Sequence, residues 1–154
     1  MRPAPLSASQ AILYGTLVVG TLDILDAFIF FGLRSGAPPV RILQSIASGW
    51  LGRAAYTGGL RVAALGAVTH YFIAFGIVLT YFLCSRRVSL LRRHPIPCGI
   101  VYGLLAYLFM NRVVIPLSAI GAATWPALPV LTNGLLIHAF GIGIPSAIFA
   151  ARAS

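Results

Sequence analysis

Acid is almost missing from this chain. Of 154 residues only Asp23 and Asp26 are acidic, lysine is absent, and eleven arginines bring the net charge to +9. Charged residues make up 8% and hydrophobic residues 59%, with mean hydropathy +0.95. A soluble domain carries about 25% charged residues, so a water-soluble globule is excluded. The arginines are scattered around the ends of apolar runs and form no stripe along a polar face, which excludes a nucleic-acid binder. They suit anionic lipid headgroups instead.

Other absences narrow the chemistry. There are two cysteines, Cys84 and Cys98, and no CxxC or zinc-type spacing. In a cytoplasmic loop both thiols stay reduced, as small apolar fillers. No GxSxG elbow and no HExxH motif occurs, so neither a serine hydrolase nor a zincin is written in the chain. The first apolar run is too long for a cleavable signal and holds both aspartates, so it is expected to persist as a membrane span. No internal repeat or second domain is visible.

What is present is a set of long apolar runs. A span needs roughly 20 apolar residues, and four such runs fit: about 10–33, 60–83, 97–117 and 130–150. Arg34-Ser35-Gly36-Ala37-Pro38-Pro39 breaks the first, and Thr57-Gly58-Gly59 hinges into the second. Between them, residues 39–55 are too short to cross. Val40, Leu43, Ala47, Trp50 and Ala54 fall on one helical face, and Arg41, Gln44, Ser45 and Ser48 on another. That pattern predicts an amphipathic helix that is interfacial or re-entrant. The expected fold is an all-α membrane protein, one compact four-transmembrane-helix bundle over residues 1–154 with that extra helix between spans 1 and 2. Gly99-xxx-Gly103 and a face of Gly134, His138, Gly141 and Pro145 predict tight helix contacts.

Orientation follows from arginine. The two ends and the connector between spans two and three hold Arg2, Arg86, Arg87, Arg92, Arg93 and Arg152. The other side holds Arg34, Arg41, Arg53 and Arg61. More arginine on the first side predicts both termini in the cytoplasm of a bacterial inner membrane.

Polar groups inside the spans are the candidate site. A carboxylate at bilayer depth costs roughly 2.5–3.5 kcal/mol even on the mildest scale, so it usually has a partner and often a task. At about 1.5 Å per helical residue, Asp26, His70, Asn111 with Arg112, and His138 all lie roughly 12–13 Å from the same end, with Asp23 one turn deeper than Asp26. These six are expected to form one buried layer, with Gln44 and Ser48 as a lid over its mouth. Two carboxylates and one guanidinium leave one negative charge, to be met by a proton or a bound cation.

Three functions fit such a layer. The preferred one is binding and translocation of a proton, cation or small polar solute, with His70 and His138 exchanging protons and Arg112 orienting an aspartate or the solute. So short a chain would need to dimerise, or join a larger complex, for alternating access. The second is an intramembrane metalloenzyme, with Asp23, Asp26, His70 and His138 ligating a divalent metal. The third is bis-histidine haem ligation by His70 and His138. Against all three stands a static network that only locks the helices, as in an accessory subunit.

The stretch Gly66-Ala67-Val68-Thr69-His70, the basic connector, Asn111…Pro116 and Asn133…His138 resemble small bacterial inner-membrane proteins of the YagU type. The likeness covers the last three spans and departs in the first half, where the interfacial segment is short and Arg-rich. It implies a four-helix bacterial membrane protein and lends no activity.

Overall fold

The computed structural model describes residues 5–121 and 124–153, and every named element among them is helical. In chain order these are α1 (Ala8–Ser35), α2 (Pro39–Leu51), α3 (Gly59–Arg87), α4 (Leu90–Arg93), α5 (Pro95–Leu117) and α6 (Leu128–Ala151). A 3₁₀ segment, Gly52–Thr57, joins α2 to α3. Four of the helices, α1, α3, α5 and α6, are long and apolar enough to cross a membrane.

Each of the four begins one or two residues before the start that hydropathy suggests, because local capping sets the boundary. Ser7 and Gln10 form a capping box, the Ser7 hydroxyl accepting from the Gln10 amide at 3.2 Å and the Gln10 side chain accepting from the Ser7 amide at 3.0 Å. Prolines occupy the first turns of α2, α5 and α6, where a missing N–H costs nothing. Gly36 closes α1 at φ 67°, a left-handed cap that favours glycine.

Two spans are irregular. Met110–Val114 in α5 and Ile137–Gly143 in α6 are wound as π-helix, and each stretch ends two residues before a proline, Pro116 and Pro145. A proline offers no N–H and crowds the carbonyl one turn back, so a wider turn relieves both problems.

Small residues bring the backbones together. A Cβ on Gly103 would run into the His138 carbonyl, and one on Gly143 into the Gly99 carbonyl, so α5 and α6 touch main chain to main chain. Helix α6 also meets α1 and α3. The buried apolar core is built of small and aromatic groups: Ala11, Tyr81, Phe82, Ala147 and Ala150 at one level, and Val19, Ala74, Val78 and Ile142 at another.

Helix α2 packs on α3 by a face the amphipathic pattern did not suggest. Ile42, Gln44, Ala47 and Ser48 are buried, while Val40, Trp50 and Leu51 are exposed. A Cβ at Gly66 of α3 would strike the Leu43 carbonyl, so the crossing is close. Small and polar groups, with Ile42, take the contact and let the two helices approach closely.

Main-chain contacts gather the basic end. The Leu6 amide donates to the Arg152 carbonyl at 3.0 Å, and Arg86 Nη1 donates to the Ala153 carbonyl at 3.4 Å. The N-terminal segment, the end of α6 and the end of α3 therefore lie together. Arg2 falls outside the described residues.

Candidate functional site

Helix α1 carries both aspartates and packs against both α3 and α6. From α3, His70 reaches α1 twice. Its Nε2 donates to the Gly20 carbonyl at 2.8 Å, and its Nδ1 stands 3.9 Å from Asp23 Oδ2. A carbonyl can only accept, so the Nε2 bond fixes the tautomer and turns the other nitrogen toward the carboxylate. This is the one approach of a basic side-chain nitrogen to a carboxylate within 4 Å among the described residues, and its side chains are 9% (His70) and 29% (Asp23) exposed. The neighbouring Tyr71 packs edge-on to His70, and its hydroxyl lies 3.0 Å from Thr21 Oγ1.

From α6 come Asn133 and His138. Asn133 Nδ2 donates to Asp26 Oδ2 at 2.7 Å. His138 Nδ1 donates to its own-helix Gly134 carbonyl at 2.9 Å, and its ring meets Tyr107 edge-on with centroids 5.1 Å apart. Asp23 lies within electrostatic reach of His138, His70 and Asp26. Three helices thus contribute five polar side chains: Asp23, Asp26, His70, Asn133 and His138.

Asn133 was not among the six candidates. It is the only amide in the last span, and it stands only three residues past Val130, shallower than the layer expected at His138. The start of α6 at Leu128 lowers it by two residues.

Arg112 and Asn111 depart from the expected layer. The Arg112 guanidinium sits over the Trp125 ring, 3.4 Å from its centroid, on an exposed side chain. Asn111 Nδ2 donates back to the Tyr107 carbonyl at 2.9 Å. Both residues lie in the π-helical stretch of α5, where a count of 1.5 Å rises says nothing about which way a side chain turns. An aromatic face near the helix end lets Arg112 keep its charge out of the dry interior.

The lid is likewise a fixture. Gln44 Nε2 donates to the Gly59 carbonyl at 3.1 Å, and Ser48 Oγ to the Ser45 carbonyl at 2.6 Å; both residues are buried. Trp50 Nε1 donates to Thr69 Oγ1 at 3.0 Å, beside His70. The Gln44 and Trp50 bonds pin α2 to α3, the Ser48 bond stays within α2, and neither polar side chain faces a mouth.

The ligand readings fare poorly on geometry. Among the described residues no three His, Cys, Asp or Glu side chains converge as metal ligands. A haem does not fit the two imidazoles either. His70 Nε2, the usual iron ligand, is spent on Gly20, and His138 Nδ1 on Gly134.

With this geometry in view, the chain matches no protein-family model, no curated protein and no solved structure.

Proposed function

We propose that this chain is a four-helix bundle of the bacterial inner membrane that binds and translocates protons, or a small cation, through the Asp23, Asp26, His70, Asn133 and His138 cluster. The observation that carries this is the position of Arg112. With its guanidinium on Trp125, the cluster has no fixed positive charge. Two ionised carboxylates beside two neutral imidazoles would leave two uncompensated negative charges. Burying an unpaired ion costs several kcal/mol, so the cluster is held by taking up protons or a cation. An arginine in the cluster would have favoured an anionic solute; without it the preference is for positive charge.

The local chemistry supports a relay. His70 keeps Nε2–H on Gly20 and offers Nδ1 toward Asp23. Their 3.9 Å gap is too long for a direct bond and suits a bridging water or a small side-chain shift. His138 keeps Nδ1–H on Gly134, so its Nε2 takes the travelling proton. Asp26, held by Asn133, sets the field between them. Thr16, two turns from Asp23 on the same face of α1, has a buried hydroxyl with no partner among the described residues. A water there would extend the path. In this arrangement α2 lies as a fixed wall at the membrane interface, and the arginine-rich termini face the cytoplasm.

The test is proton and cation flux into proteoliposomes under an imposed potential. Wild-type protein should conduct, and Asp23→Asn and His70→Gln should each lower flux at least tenfold while eluting as folded protein. Vesicles with wild-type protein no leakier than empty ones to protons, sodium and potassium would end the proposal.

A further inference from the structure

Away from the polar cluster, a cavity of about 330 Å³ opens where α3, α4 and α5 meet. Tyr81, Cys84, Leu91, Pro97, Cys98, Val101, Tyr102 and Leu105 surround it, and the two cysteines unused by any site both face it. Its volume is at the small end of the roughly 300–1,000 Å³ typical of ligand sites. Both hydroxyls of its wall and the Cys98 thiol are already engaged. Tyr81 Oη donates to the Leu91 carbonyl at 3.0 Å, Tyr102 Oη to the Ile77 carbonyl at 2.6 Å, and Cys98 Sγ approaches the Leu90 carbonyl at 3.8 Å. What remains for an occupant is hydrocarbon surface.

The mouth is the opposite. Leu91 is followed directly by Arg92 and Arg93, and Cys84 is followed after Ser85 by Arg86 and Arg87. Arg86 is engaged with Phe82 and Ala153. Arg87, Arg92 and Arg93 are exposed, between the exposed apolar side chains of Val88, Leu90 and Ile96. From Pro97 to Leu105 the groove runs about 12 Å along α5. An apolar slot of that depth, with three exposed arginines next in sequence to its wall residues Cys84 and Leu91, matches one class of molecule.

We infer that this groove holds one acyl chain of an anionic phospholipid, with the headgroup phosphate on Arg92 and Arg93. Basic pockets between membrane helices recognise such headgroups by charge-assisted hydrogen bonds. A zwitterionic lipid offers the same chain and a headgroup with no net charge, so charge at the rim sets the preference.

The experiment is native mass spectrometry of the full chain after exchange into micelles doped with equal phosphatidylglycerol and phosphatidylcholine. Wild-type protein should retain phosphatidylglycerol selectively. Arg92→Gln with Arg93→Gln should reduce that retention roughly tenfold or more, the loss of two surface arginines near an anionic headgroup. Val101→Trp and Leu105→Trp, at positions 57% and 58% exposed and so outside the packed core, should each fill the slot and lower retention of both lipids. Arg34→Gln, at the far end of α1, should change nothing. Equal retention of the two lipids by the wild type, or retention unaltered in the double arginine variant and in both tryptophan variants, would overturn the assignment.

Discussion

Asn133 Nδ2 donates to Asp26 Oδ2 at 2.7 Å, a bond between the last span and the first, separated by 107 positions in the chain. Both side chains are only partly exposed, so each constrains the other. Hydrogen bonds of this kind between membrane helices contribute on the order of 1 kcal/mol. Asn133→Leu is therefore expected to lower stability by about that amount. In a double-mutant cycle with Asp26→Asn, measured by unfolding in mixed micelles, the pair should couple. Additive effects would show that the bond contributes nothing.

Arg112 gives a sharper division. Stacked on Trp125, it is apart from the aspartates. Arg112→Gln should leave proton flux within about twofold of wild type and should shift Trp125 fluorescence, since a cation–π contact of roughly 0.5–1 kcal/mol is lost at an exposed site. Asp26→Asn should abolish flux. If Arg112→Gln is as damaging to flux as Asp26→Asn, the guanidinium belongs to the working site after all.

Much of the candidate site was legible because ionisable groups are rare inside apolar runs. Asp23, Asp26, His70 and His138 each stood out by type and by depth along the helix. Direction was not legible. Arg112 shares their depth and turns elsewhere, because it sits in a π-helical stretch ahead of Pro116 where helical counting fails. Helix α2 was legible as a short non-spanning element, but its buried face was not. The amphipathic rule turns polar groups outward, and Gln44 and Ser48 are buried. Asn133 lies outside the common depth that picks out the others, and its role shows only with its partner Asp26.

Glycine packing offers a test with an internal control. At Gly103 a Cβ would meet the His138 carbonyl, and backbone cannot retreat as a flexible side chain can. Gly103→Ala should destabilise by roughly 1–3 kcal/mol, the usual cost of forcing extra volume into a packed interface. At Gly76 nothing lies within 4 Å of the added carbon. Gly76→Ala should be neutral or stabilising by up to about 1 kcal/mol, since alanine is the better helix former. Thermal melting followed by circular dichroism in detergent distinguishes the two. Equal effects would mean that α5 and α6 are not in main-chain contact.

The attachment of α2 to α3 can be dissected by bond. Gln44 Nε2 satisfies the Gly59 carbonyl and Trp50 Nε1 satisfies Thr69, whereas the Ser48 hydroxyl bonds only within its own helix, to Ser45. Removing one donor leaves a part-buried bond unmade, which costs about 0.5–1.5 kcal/mol. Gln44→Ala and Trp50→Phe should each loosen α2, seen as faster protease cleavage near the exposed Arg53. Ser48→Ala should change the cleavage rate little, because no second helix loses a bond. Were α2 a moving lid, Ser48→Ala and Gln44→Ala would alter flux and leave protease resistance alone. A fixed wall requires the reverse, with cleavage rising in Gln44→Ala and flux falling only as folded protein is lost.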